Sequence, residues 1–509
     1  MKNINLVRLP LAVLATVIIS VAQSAPAHAA SFNVAVGNDE TTTNSSCSLS
    51  EAIQNINDQA ATSSDCPAGD GVNDTINLPA GTITLVADLP VLTKTATFKG
   101  AGAGQSIIDG DGQYQTIQIT ATASEMLTVS DFTVTGFRGF GIGVQDANLD
   151  ADRIEIDGLN ATSVGASLAL SGFGVENGVD GVMTSISINN SYVHRFNSSA
   201  AGIGLPGILV YTNNKAILNL SVSNTTVSDI ENTDSEATAS GIMVMGGIIA
   251  GGSPSTLNAN FENVTISNIR TSSIAIGLGL ISYTGAEDST TTAKINNSTI
   301  TDIAGGESSQ ASGFGSTSLV VAGGGVSGTA NVSLETDNLL LADIKSLGVP
   351  NACEGFFDYT PLFGGSGGFN GSLTSGGGNL SDDTTCSTYF NHVKDQNNLT
   401  ALGSTLGPLQ NNGGYVPTMA LMSGSPAIDS GVTIAGLTQD ARGSVRPQGL
   451  AYDSGAYESP FTTAVNSLGI SGAANTLPKT GQSETVLIAI SLVSVATSIF
   501  LVRRLRLIK

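Results

Sequence analysis

The stretch Asn263-Val264-Thr265-Ile266-Ser267-Asn268-Ile269 decides the fold, because the chain repeats it. Asn224-Thr225-Thr226-Val227-Ser228-Asp229-Ile230 is one copy, and Asn297-Ser298-Thr299-Ile300-Thr301-Asp302-Ile303 is another. Asn338-Leu339-Leu340-Leu341-Ala342-Asp343-Ile344 obeys the same rule. Looser versions start at Asp131 (through Val134, Gly136 and Phe137) and at Asn190 (through Tyr192, Val193, His194, Arg195 and Phe196). From Asn190 onward the starts advance by 34, 39, 34 and 41 residues, a period that marks stacked repeats instead of one globular core.

Ahead of each Asn, apolar residues alternate with polar ones: Leu218, Leu220 and Val222, then Leu257, Ala259 and Phe261. Period two is a strand with one buried face. The Asn suits a sharp bend, since it tolerates the left-handed backbone region and bonds neighbouring backbone. A second strand follows, carrying Val227, Ile266 or Ile300. A third segment is apolar and Gly-rich, as in Gly241–Gly246, Ile276–Ile281 and Ser318–Ala322. Three strands and three bends per repeat make one coil of a β-solenoid. Asn190, Asn224, Asn263, Asn297 and Asn338, at one bend of successive coils, are expected to stack as a ladder of amides. Gly, Thr and Asn this dense oppose a helical solenoid.

The chain has 509 residues, of which only 12% are charged, with a formal charge of −22. Basic residues are too sparse for a nucleic-acid surface. Trp is absent and aromatics are 5%, which fits a slim column of aliphatic side chains. The four cysteines allow three pairings. Two lie near each end, which favours Cys47–Cys66 and Cys353–Cys386 in an exported chain.

Residues 1–29 read as a secretory signal: Lys2 and Arg8, an apolar stretch from Leu11 to Val21, and the Ala27-His28-Ala29 cleavage site. At the other end, Leu477-Pro478-Lys479-Thr480-Gly481 precedes an apolar run, 486–502, and the basic residues Arg503, Arg504, Arg506 and Lys509. The run is long enough to cross a bilayer as a C-terminal transmembrane helix with its basic flank inside. This three-part tail, 477–509, resembles the sorting signal of sortase-anchored wall proteins. The resemblance implies cleavage between Thr480 and Gly481, a thioester on Thr480, and an amide to peptidoglycan or another envelope amine. Sortase and, before sorting, the membrane are then the implied partners. The implied location is the cell surface, with covalent attachment to the wall.

Ser48-Leu49-Ser50-Glu51 forms a capping box, and Ile53, Ile56 and Ala60 extend an apolar stripe. A helix over 48–60 is expected to close the first coil, within a cap spanning 30–66, and to block edge-to-edge pairing. Cys47-Ser48-Leu49-Ser50-Glu51-Ala52-Ile53 also resembles the CSLREA motif of a class of secreted bacterial parallel β-helix proteins. Cys66-Pro67, the run Asp74 to Thr82, Phe98 to Gly102 and Ile107 to Gly110 follow in order. Ser50 stands where that class has Arg. Gly378-Asn379-Leu380, Leu406 to Leu409, Asn412 to Gly414, Ser425 to Gly431, Asp440 to Gly443, Arg446-Pro447 and Asp453 to Glu458 resemble its choice-of-anchor Q form. Tyr452 takes the place of an expected Cys. The resemblance implies an all-β, right-handed, single-stranded parallel β-helix of the pectate-lyase-like kind over 67–459, followed by a linker at 460–476. At about 4.8 Å per coil, roughly ten coils would make a rod near 50 Å. Asp440, Arg442, Arg446 and Asp453 are expected to close the final coil by charge-assisted hydrogen bonds.

Parallel β-helices often act on polysaccharides, so a carbohydrate-active enzyme is the rival to a display protein. Asp229, Asp302 and Asp343 share one repeat position and could offer the carboxylate pair that glycoside hydrolysis needs. Asn268, Gly136 and Arg195 occupy the same slot, which reads as a turn preference. His194 and His392 stand alone, and Asp109-Gly110-Asp111-Gly112 reads as a turn more than a calcium loop. No catalytic residue, metal or cofactor is assigned. The expectation is adhesin-like binding of a glycan or protein ligand, or a structural envelope role.

Overall fold

The computed structural model describes residues 29–462, apart from 71, 123, 164–169, 200–203, 235–237, 248–253, 307–315, 359 and 364–365. The signal segment up to residue 28, nearly all of the linker, the sorting pentapeptide and the apolar run 486–502 therefore lie outside the described residues. Among those described, no helix is long and apolar enough to cross a membrane.

The alternation of Leu218, Leu220 and Val222 produces the strand Ile217–Ser223. Asn224 bends the chain with φ 48°, and Thr226–Asn232 follows as a second strand. Thr238–Gly246 is the third, and Thr256–Glu262 begins the next coil. Each strand pairs in parallel with its counterpart one repeat later. Val227, Ile266, Ile300 and Leu341 lie one above another in register. The chain is thus a parallel β-helix with three faces. The first face runs from Ser31–Asn33 to Gly368–Gly377, the second from Gly37–Asp39 to Leu380–Ser381, and the third from Ile117–Thr120 to Cys353–Asp358. One dry column of side chains extends from Phe32 to Phe390.

The glycines of the third face have a packing cause. Gly141, Gly172, Gly207, Gly241 and Gly277 stack in successive coils, each opposite a β-branched side chain of the second face. A Cβ on Gly277 would lie 2.6 Å from Ile300 Cγ2 and 2.7 Å from the Ser318 carbonyl. Omitting that carbon lets Ile156, Val193, Val227, Ile266 and Ile300 fill the interior.

The helix occupies Leu49–Asp58, with the Ser48–Glu51 capping box formed at its start. The segment expected as a cap is more than a cap. Ser31–Asn33 and Gly37–Asp39 pair with Thr75–Asn77 and Ile83–Leu85 and so belong to the stack itself. Asn55 is fully buried and ties the helix to its return loop, donating to Ser63 O at 2.9 Å and Pro67 O at 2.8 Å. The disulfides are Cys47–Cys66 and Cys353–Cys386.

The far end differs from expectation. Regular coils stop at Leu380–Ser381, not near residue 459. Residues 382–390 stay at the end of the stack, with Cys386 and Phe390 buried in the column, and the chain up to residue 462 then turns back along the outer side of the second face as a strap. Leu340, Ala342 and Leu380 point outward there and pack with Leu402, Leu406, Leu421, Ala427 and Ile428 in a second apolar core. Further along the stack the strap caps hydroxyls: Ala456 N donates to Thr299 Oγ1 at 3.0 Å, and Thr226 Oγ1 to Pro417 O at 2.7 Å. Thr226, Thr265, Thr299, Ser228, Ser267 and Thr301 are buried although they face away from the column.

Asp440, Arg442, Arg446 and Asp453 do not close a final coil; they knit this strap. Arg442 bonds Asp440 Oδ2 at 2.6 Å and lies over the Tyr457 ring. Arg446 and Glu458 form a wholly buried ion pair at 2.8 Å. Arg446 also donates to the carbonyls of Asp453 and Gly455, while Asp453 accepts from the backbone of Asp429 and Ser459. Tyr452 is buried and donates its hydroxyl to Leu437 O at 3.0 Å.

Candidate functional site

The five ladder asparagines all have left-handed backbone, with φ between 45° and 54°. Their amides form pairs, not an unbroken ladder. Asn263 donates to Asn224 at 3.0 Å, and Asn338 to Asn297 at 3.1 Å. Asn224 reaches Asn189 instead of Asn190, and Asn190 reaches Asp152. The strap takes up the remaining capacity: Asn263 donates to Gln439 O, Asn297 to Asp453 O and Asn338 to Val432 O. These residues are a fastening, already occupied by protein.

The second bend holds Gly136, Arg195, Asp229, Asn268, Asp302 and Asp343, all between φ 54° and 61°. Left-handed backbone is what they share. Asn268 binds Asp229 at 2.6 Å, Arg270 chelates Asp302 at 2.6 and 2.7 Å, and Asp382 accepts the Asp343 N–H. Asp109 accepts from Asp111 N at 2.9 Å in a local turn. Among the described residues no cluster of His, Cys, Asp and Glu is placed to hold a metal.

A different part of the second face is open. Its outward rank runs Thr133, Glu155, Tyr192, Thr226, Thr265, Thr299, Leu340 in register. The strap covers the Thr and Leu members. Short of Glu155 and Tyr192 it stops, and a groove of about 400 Å³ remains. Asp131, Arg153, Glu155, Asn190 and Tyr192 form one wall, and Asn411, Gly414, Tyr415, Val416 and Pro417 of the strap form the other. The strap wall is a hairpin, Leu406–Gln410 against Thr418–Leu421. Gly413 and Gly414 turn its tip with φ 98° and 82°. Tyr415 stands at the mouth, 68% exposed, with its ring 5.4 Å from the Arg153 guanidinium.

The polar groups of the groove are held in place. Arg153 binds Asp131 through two bonds of 2.6 and 2.8 Å and also engages Asp152. Its guanidinium holds the Asp131 carboxyl below the usual carboxylate range. Glu155 accepts from Thr133 at 2.7 Å and pairs with His194 Nε2 at 3.1 Å. The His194 bond holds the Glu155 carboxyl low as well. His194 is therefore not alone: it is buried and stacked on Tyr192 with centroids 3.9 Å apart. Burial raises the Tyr192 phenol, which lies 3.2 Å from Ser228 Oγ. Arg195 engages Asp157 behind this layer.

The groove does not show in the repeat pattern, although a signal for it is present in the sequence. The repeat at Asn190 is looser because Tyr192, His194 and Arg195 replace the Thr, Ser and Asp of later coils. A departure from the rank is where side chains other than turn formers gather.

No protein-family model and no curated protein matches the chain. Among solved structures it is similar to the A-module of the mannuronan C-5 epimerase AlgE4 of Azotobacter vinelandii. Identity is 13%, coverage is 67% of this chain and 98% of that one, and the TM-score is 0.21. A likeness this faint supports no functional inference.

Proposed function

We propose that the chain is a surface-displayed binding protein. It is exported, fastened to the cell wall through Thr480 by a sortase, and presents a right-handed β-helix whose groove binds a glycan. The observation that carries the binding part is the groove itself. A preformed concavity lined by an exposed Tyr, fixed charged groups and side-chain amides is what recognition of a hydroxyl-rich ligand uses. The right hand follows from the general preference of parallel crossovers. Export and anchoring are supported by the leader-like residues 1–29, by two disulfides, and by the three-part tail 477–509. A glycan array probed with the secreted protein tests the binding role, and silence across the array would remove it. Transfer of an amine to Thr480 by a purified sortase, read by mass spectrometry, tests the anchor.

The second reading is a polysaccharide-cleaving enzyme, because Asp131 and Glu155 share the groove. Hydrolysis needs one carboxyl protonated as general acid, its pKa raised. Both are instead held in the ionised form by Arg153 and His194. Binding without turnover fits that electrostatics better. New reducing ends released from a polysaccharide panel would reverse the choice.

A further inference from the structure

We infer that the groove selects uncharged saccharides over acidic ones, and that the sugar ring lies on Tyr415. The inference rests on the glycan reading above and adds the ligand class and the contact residue. Charge is the first argument. Arg153 is the cation of the groove, and it is spent on Asp131 and Asp152. Glu155 lies in the same wall, so the lining carries two carboxylates, Asp131 and Glu155, to one guanidinium, with His194 engaged on Glu155. A uronate or sulfate entering there meets net negative charge with no free cation to chelate it. The formal charge of −22 on the whole chain repels it further.

Geometry is the second argument. In the same strap, Tyr457 lies 3.6 Å from the Arg442 guanidinium, a closed stack, whereas Tyr415 stands 5.4 Å from Arg153. Tyr415 is also the most exposed aromatic of the described residues, and its hydroxyl has no protein partner among them. The tip that carries it is braced: a Cβ on Gly414 would lie 2.7 Å from Arg442 Cα. An exposed ring on a rigid tip loses little freedom when a ligand covers it. Gln105, whose side chain also has no partner among the described residues, supplies an amide toward sugar hydroxyls.

Calorimetric titration of the secreted full chain tests this with three tetrasaccharides: the β-1,4-linked tetramer of N-acetylglucosamine, cellotetraose and tetragalacturonate. At least one neutral tetrasaccharide is expected to bind ten-fold or more tighter than tetragalacturonate. Tyr415→Ala is expected to weaken that neutral binding at least ten-fold with an unchanged melting temperature, and Tyr415→Phe to keep most of it. Glu155→Gln is expected to narrow the gap between neutral and acidic ligands. Preferential binding of tetragalacturonate, or neutral binding that survives Tyr415→Ala, overturns the inference while leaving a glycan-binding role in place. Failure of all three to bind, together with a silent glycan array, overturns the role itself.

Discussion

Asn338 shows what one residue of the repeat contributes. It is fully buried at φ 53°, donates to Asn297 at 3.1 Å and Val432 O at 2.7 Å, and accepts from Val432 N at 2.6 Å. Asn338→Ala loses all three bonds and strains the backbone, at an expected cost of about 3 kcal/mol by urea unfolding; Asn338→Gly, which keeps the backbone, costs less. Asp39 makes a pH-dependent contribution. Asp39 is buried against Ser50, accepting the Ser50 hydroxyl at 2.5 Å. Burial without a cation lifts the Asp39 carboxyl above its ordinary 3.8. A raised folded-state pKa stabilises below about pH 3.8, and the contribution is lost as pH rises through the folded value. Asp39→Asn is therefore expected to gain stability relative to the native chain as pH goes from 4 to 7 in thermal melts. Glu155 has the opposite sign. Its lowered pKa stabilises above about pH 4.5 and the benefit fades as pH falls through the folded value, so Glu155→Gln is expected to cost most at neutral pH.

Among the elements, the three-strand coil was legible because its causes are local: alternation at Leu218, Leu220 and Val222, a bend at Asn224, and Gly at position 241. The strap was not legible. Outward Thr226, Thr265 and Thr299 look solvated in a sequence, since nothing local says that residues some 150 to 190 positions away cover them. The warning lay in Leu340, apolar in the outward phase, where a solvated rank would continue Thr. The groove was hidden for the same reason, because half of it is strap. Two substitutions separate these elements. Gly277→Ala forces a carbon against Ile300 and is expected to cost about 1–3 kcal/mol in coil stability. Arg446→Met strands Glu458 inside the strap and is expected to cost about 3–5 kcal/mol, whereas Arg446→Met with Glu458→Leu costs less. Hydrogen exchange distinguishes them. Arg446→Met should speed exchange at Gly455 N, which bonds Asn338 O, and leave Thr265 N, which bonds Thr225 O, protected.

For the whole molecule, nearest-neighbour stacking makes damage local. Cys47–Cys66 spans 19 residues at the first coils and Cys353–Cys386 spans 33 where the strap begins. Removing either is expected to cost about 3 kcal/mol, read as partial unfolding confined to that end. The strap also determines where the chain departs. Ala456 is bonded to Thr299, and Ser459 is held by Asp453, so the polypeptide leaves from the flank of the rod beside the coil of Asn297, two coils before the last. Tension applied through residues beyond 462 reaches the strap before any coil. Optical-tweezer extension from that terminus is expected to show a first, low-force rip whose released length matches at most residues 387–462, since the Cys353–Cys386 disulfide holds Cys386 to the coils, with the coils yielding later. Tyr415 departs with that first rip. Under the function proposed above, a pull on the anchor would then release the bound sugar before the coils came apart, and re-docking of the strap would restore the grip.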